Sequence, residues 1–145
     1  MRGAAAVVAV LLAACGSTSP YRHEGEKNLE VRPELSGARA SLHIHRIDEQ
    51  CRTLYEGSLT LDRPVELALP IERSSLLIVG FDTSSFFGGA RSTARRYVLK
   101  PRAGYRYRLE VRYKDDLYDV AAVEVSRDGR ARALELREPP CPPSR

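Results

Sequence analysis

From Tyr105 to Tyr113 the sequence alternates without a break. Tyr105, Tyr107, Leu109, Val111 and Tyr113 are set against Arg106, Arg108, Glu110 and Arg112. Successive side chains of a strand point to opposite faces, so this period of two describes an extended segment with one buried and one wet face. A lone strand cannot stand, and the same signature recurs along the chain. Ala38, Ala40, Leu42 and Ile44 alternate, as do Tyr55, Gly57, Leu59 and Leu61, and then Val65, Leu67 and Leu69. Leu76 to Phe81 is an unbroken apolar run, as suits a central strand covered on both sides. Tyr97 and Leu99, Leu117 to Val125, and Ala131 to Leu136 mark further strands. Asp62-Arg63-Pro64, Lys114-Asp115-Asp116 and Asp128-Gly129 supply the turn chemistry between them. A polar stretch from Asp82 to Ala94 reads as a long loop, and no helical period occurs beyond the first fourteen residues. Regularly spaced short strands argue for a sandwich, and about 100 residues suffice for one core.

One local motif refines this. Leu99-Lys100-Pro101-Arg102-Ala103-Gly104-Tyr105-Arg106-Tyr107 resembles the corner before the sixth strand of fibronectin-III and immunoglobulin-like domains. The resemblance implies a tyrosine whose hydroxyl bonds back to upstream backbone. Tyr107 is preferred for that role, with Tyr105 the alternative. The expected fold class is therefore all-β: a seven- to eight-stranded antiparallel sandwich, immunoglobulin-like or transthyretin-like.

The amino-terminal segment carries a different message. Arg2 precedes nine apolar residues, Ala4 to Leu12, a length that fits a secretory signal and is too short to span a bilayer. Leu12-Ala13-Ala14-Cys15 then resembles the lipobox of bacterial lipoproteins. That resemblance implies a lipid on the Cys15 thiol, cleavage before Cys15 and acylation of the new terminus. Several acyl chains anchor stably where one does not. In the family's sorting pattern Gly16, rather than Asp, implies the outer membrane, here expected facing the periplasm. The organisation expected is a signal peptide over 1–14, a lipidated flexible tether over 15–36, a sandwich over 37–137 and a Pro-rich tail over 138–145. A tether of that length would span about 25 Å. Leu29 and Val31 leave open a short edge strand within it.

If lipid takes Cys15, Cys51 and Cys141 remain, an even pair in an oxidising compartment. A disulfide between them would close a loop of about 90 residues and stabilise the fold by about 4 kcal/mol. Neither cysteine has the close companions that zinc sites use.

The net charge is +4, and its distribution is uneven. Arg91, Arg95, Arg96, Lys100, Arg102, Arg106, Arg108, Arg112 and Lys114 crowd one quarter of the chain, with Glu110 the sole acid among them. No nucleic-acid recognition motif accompanies them. Anionic lipid headgroups, acidic cell-wall groups or an acidic protein are the partners such a stripe suits. The alternative is an ordinary solvated face.

Chemistry-bearing constellations are scarce. His43 and His45 share a strand face and have Asp48 and Glu49 nearby, but surface histidines explain the pair better than a metal site does. Ser84, Ser85 and Ser92 sit in no nucleophile motif, and no paired carboxylates or phosphate cradle appear. No catalytic residues, metal or cofactor are expected. The strongest binding candidate is the segment Asp82–Arg91, in which Phe86 and Phe87 offer an aromatic anchor beside Arg91. Arg106, Arg108 and Arg112 have the parity of an outer strand face and are expected to extend that surface. The function expected is a membrane-anchored, non-enzymatic binding or scaffolding module with an envelope-protein partner. The alternatives are an inhibitor or immunity lipoprotein that blocks an enzyme or toxin, and a small-ligand carrier.

Overall fold

The alternating segments form strands in the structure, a computed structural model that describes residues 19–85 and 88–141. The strands are β1 (Leu29–Leu35), β2 (Ala38–Ile47), β3 (Thr53–Thr60), β4 (Val65–Leu67), β5 (Ser75–Ser85), β6 (Gly89–Leu99), β7 (Arg106–Lys114), β8 (Leu117–Val125) and β9 (Ala131–Leu134). They make two sheets, ordered β4-β1-β7-β8-β9 and β3-β2-β5-β6. The apolar parity of β1, β2, β5 and β7 faces the space between the sheets. Val31, Leu42, Ile44, Leu77, Val79, Phe81, Leu109 and Val111 are shut off from solvent there. The chain is thus an all-β sandwich. Its strand order differs from the immunoglobulin one, in which the first two strands share a sheet. Here β1 and β2 lie in different sheets.

Three expectations are corrected. First, the tether expected over 15–36 is built into the sandwich at Ser19 to Tyr21 and again from Asn28 onward, with residues 22–27 an exposed connection. β1 is an interior strand between β4 and β7, and Leu29 and Val31 belong to the core. Second, β1 runs parallel to β7, so the sandwich is not wholly antiparallel. Asn28 O accepts from Tyr107 N–H and Ser36 N–H donates to Tyr113 O, so even-numbered residues of β1 bond to β7. Pro33 therefore turns its nitrogen to the opposite side, past the end of the short β4, where no ladder partner needs an N–H. Third, the polar stretch 82–94 is not a loop. It is the upper part of a hairpin whose strands run to Ser85 and from Gly89. Its period is hidden in the sequence because both faces there are polar.

The lower end of the sandwich, where β2 meets β3 and β6 leads to β7, is tied together several times. Cys51 and Cys141 form the expected disulfide, with Cα atoms 5.9 Å apart. The chain after β9 crosses between the sheets and bridges Arg137 to Val98 on the free edge of β6. On the other side Ser19 to Tyr21 lies along β3. Ser58 N–H donates to Ser19 O at 2.9 Å, and Tyr21 N–H donates to Ser58 O at 3.1 Å. Gly57 makes this approach possible. Its φ is +146°, and a Cβ there would lie 2.4 Å from Tyr21 Cα. The buried Tyr21 hydroxyl donates to Ala68 O, and burial, then the charge of Glu56, pushes its pKa up to about 12.

Tyr107 is the corner residue. It is buried, and its hydroxyl accepts the Arg102 N–H at 3.0 Å. The corner carries the chain from one sheet to the other between β6 and β7. Beside it, Glu124 is 3% exposed and accepts from Arg102 Nη2 at 2.7 Å and from Arg132 Nε at 2.9 Å. Burial alone would raise the Glu124 pKa, but the two guanidiniums hold it below the usual carboxylate range.

Candidate binding cleft at the hairpin end

The opposite, upper end collects the β5–β6 hairpin, the β1–β2 turn and the β7–β8 turn. In the last of these, Lys114 pairs with Leu117 while Asp115 and Asp116 have φ of +52° and +61°. Two left-handed residues between paired strands make the tight turn that matches strand twist. The Tyr113 hydroxyl donates to Asp116 Oδ1 at 2.9 Å, and this bond, helped by burial, raises the tyrosine pKa. A cleft of about 370 Å³ opens here between the two sheets, and Phe81, Thr83, Arg91, Tyr113, Asp116 and Tyr118 contribute to its walls. A cleft of that size suits one side chain or a small ligand.

Arg91 reaches this place by register. It pairs with Thr83, on the same face of the sheet as Leu77, Val79 and Phe81. At the end of the sandwich that inward face runs out of core and becomes the cleft wall. Arg91 is exposed and makes no ion pair with any described residue. Below it, Tyr118 packs on Phe81 with ring centroids 5.5 Å apart, and the Arg95 guanidinium lies 5.0 Å from the Tyr118 ring centre. A guanidinium without an ion-pair partner and an aromatic floor suit a carboxylate carried next to an apolar group, while the Asp116 carboxylate, occupied by the Tyr113 hydroxyl, opposes it within the same wall.

Arg106, Arg108 and Arg112 do share an outer strand face, but it belongs to the five-stranded sheet, away from Arg91 in the other sheet. They are also neutralised. Arg108 pairs with Glu30 at 3.2 Å, Arg106 with Glu66 at 3.5 Å, and Arg112 with Glu34 at 3.5 Å, Asp119 at 3.9 Å and Glu110. The hydrogen bond from Arg32, reinforced by Arg108, holds the Glu30 carboxyl below its ordinary pKa. The acids from β1, β4 and β8 do not show as neighbours in the linear chain. The structure therefore does not bring the arginine strand and the Asp82–Arg91 segment into one surface. Phe86, Phe87 and Cys15 lie outside the described residues.

His43 and His45 lie on the outer face of the four-stranded sheet. His43 Nε2 is 3.1 Å from Ser41 Oγ, and His45 meets Tyr55 edge-on at 5.2 Å. Burial, then the nearby His43 and Arg96, lowers the His45 pKa. Among the described residues no three His, Cys, Asp or Glu side chains are grouped to hold a metal ion. The feature missed in the sequence is the Arg102–Glu124–Arg132 cluster. It lines a larger hollow at the lower end, of about 760 Å³. Both guanidiniums converge on the one buried carboxylate, which makes the cluster a support for the corner.

No family model matches the chain, and no curated protein matches it. Solved structures similar to it include transthyretin from Sparus aurata, at a TM-score of 0.45 and 15% identity, covering 70% of this chain and 100% of that one. A second is sea bream transthyretin in complex with thyroxine, at a TM-score of 0.43 and 14% identity, covering 66% of this chain and 94% of that one.

Proposed function

We propose that the protein is a lipid-anchored, non-enzymatic binding module of the bacterial cell envelope, held to the outer membrane through Cys15 and facing the periplasm. Its hairpin-end cleft takes an acidic side chain of an envelope protein. The observation that carries the binding reading is Arg91, without an ion-pair partner among the described residues, in an aromatic-floored cleft, set against the paired arginines of β7. The lipobox resemblance supports the anchor. A second reading, a carrier of a small carboxylate, is favoured by the cleft volume.

The test places a photo-crosslinking residue at position 91 and, separately, at position 108, in cells producing the full protein. Position 91 should yield one dominant crosslinked partner that is absent at position 108 and lost when Asp or Glu residues of that partner's crosslinked peptide are replaced. Equal capture from both positions would sink the cleft as the site. A small carboxylate that binds the purified protein and is lost in Arg91→Ala, with no protein crosslink, would move the function to the carrier. Cys15→Ser should leave the precursor uncut or the protein released from membranes.

A further inference from the structure

We infer that the flank of the sandwich carrying the outer edge of β3, with Leu54 and Tyr55 at its lower end, rests on the surface of the bilayer that holds Cys15. This rests on the anchoring just proposed. The step beyond it comes from how little chain is left between anchor and body.

Ser19 is already part of the fold. Its carbonyl accepts from Ser58 N–H at 2.9 Å and from the Tyr55 hydroxyl at 3.3 Å. Only Gly16, Ser17 and Thr18 separate it from Cys15. Four residue steps reach at most about 14 Å. A diacylglyceryl group on the cysteine sulfur has its glycerol at the boundary between hydrocarbon and headgroups, and the headgroup layer is itself about 5–8 Å deep. The β3 edge is thus held within a headgroup layer or two of the hydrocarbon. The expected tether of about 25 Å would have imposed no orientation.

The position of Ser19 selects the flank. Pro20 bridges Ser58 in parallel and the Tyr55 hydroxyl donates to Ser19 O, so Ser19, the described residue nearest Cys15, lies on the side of β3 that carries Tyr55 and Leu54. These two side chains are 40% and 53% exposed, among the most exposed large hydrophobics of the described residues. As successive residues of β3 they flank its outer edge from the two faces of the strand, and both a tyrosine and an aliphatic side chain are at home at the membrane–water interface. Leu117, 76% exposed, sits in the β7–β8 turn at the far end of the molecule and serves as the control. The ion-paired arginine face lies on the other sheet, so contact along β3 should not require anionic lipid.

The chain contains no tryptophan, which makes depth measurable residue by residue. The full lipidated protein carrying Leu54→Trp or Leu117→Trp is reconstituted into phosphatidylcholine vesicles with brominated acyl chains. Leu54→Trp should show about a twofold loss of emission and Leu117→Trp none. Inserting twenty Gly and Ser residues after Ser17 should abolish the Leu54→Trp loss. Equal quenching at both positions, quenching at Leu117→Trp alone, or quenching unaffected by the insertion would overturn the inference. So would quenching that appears only with anionic lipid. The mass of the amino-terminal peptide reports separately on acylation. If it carries no acyl chain, anchoring falls by itself. The flank is then tested on residues 15–145 coupled to a maleimide phospholipid through Cys15, the one cysteine outside the disulfide. The same pattern upholds the inference there, and its absence overturns it.

Discussion

The two ends of this sandwich are built on opposite plans. At the lower end a disulfide, a strand-like clasp by Ser19 to Tyr21, the Tyr107 corner and a buried carboxylate between two arginines all tie distant parts of the chain together. At the upper end a tight turn and a long hairpin meet around a cleft, and Arg91 has no ionic partner among the described residues. Ile78 pairs across β2 with the level of Ser58, and the hairpin tip begins after Ser85. Those seven residues of strand put the ends about 23 Å apart. The lower end buries a charged cluster and a crosslink, while the upper end leaves the Arg91 guanidinium without an ionic partner among the described residues.

The contrast can be broken by mutation, beginning with the largest effect. Replacing Cys51 and Cys141 together with Ala should destabilise the domain by about 4 kcal/mol, read by urea unfolding. A loss near zero would mean that the lower end is held without the crosslink. Gly57→Ala should cost about 3 kcal/mol, because the new methyl meets Tyr21 backbone that cannot swing aside as a side chain can. Hydrogen exchange should show Tyr21 and Ser58 N–H losing protection first. If they stay protected, the clasp is not what Gly57 serves.

Glu124→Gln should cost about 2 kcal/mol, the scale of hydrogen bonds to a charged group. The exposure of Arg102 and Arg132, 45% and 68%, keeps the loss below that of a fully buried ion pair. The native carboxyl titrates below its ordinary value of 4.5, so its contribution is present above that pH and fades as pH falls through the lower folded value. The glutamine variant has no such acid-side loss, and the difference between the two proteins should shrink in acid. A difference constant with pH would assign the cost to packing. Arg91→Ala should change stability by no more than about 0.5 kcal/mol while weakening partner capture. A loss comparable to that of Glu124→Gln would erase the distinction between the ends.

How much of this is legible in the sequence depends on whether one face of a segment is apolar. β7 can be read because Leu109 and Val111 alternate with charges. β5 can be read below Asp82, where the apolar run lies, and not above it, where polar residues cover both faces. β1 is hidden because Pro33 interrupts a short pattern and because its acids look like tether. Their role emerges only when β1 lies parallel to β7, setting Glu30 beside an arginine 78 residues away. The disulfide is readable from the arithmetic of three cysteines. The role of Glu124 is not, since its position within an apolar alternation gives no sign of the two guanidiniums that meet it.

The two clasps have a consequence for copies of the protein that meet. A sheet with an open border is a template on which a neighbouring chain can add strand by strand. Here Ser19 to Tyr21 occupies part of one border of the four-stranded sheet and Arg137 part of the other. The five-stranded sheet ends in strands of three and four residues. The stretch of β6 left open carries Arg91, Arg95 and Arg96, whose like charges repel a second copy in register. Resistance to strand-by-strand association between copies is thus built into the same few residues that border the four-stranded sheet.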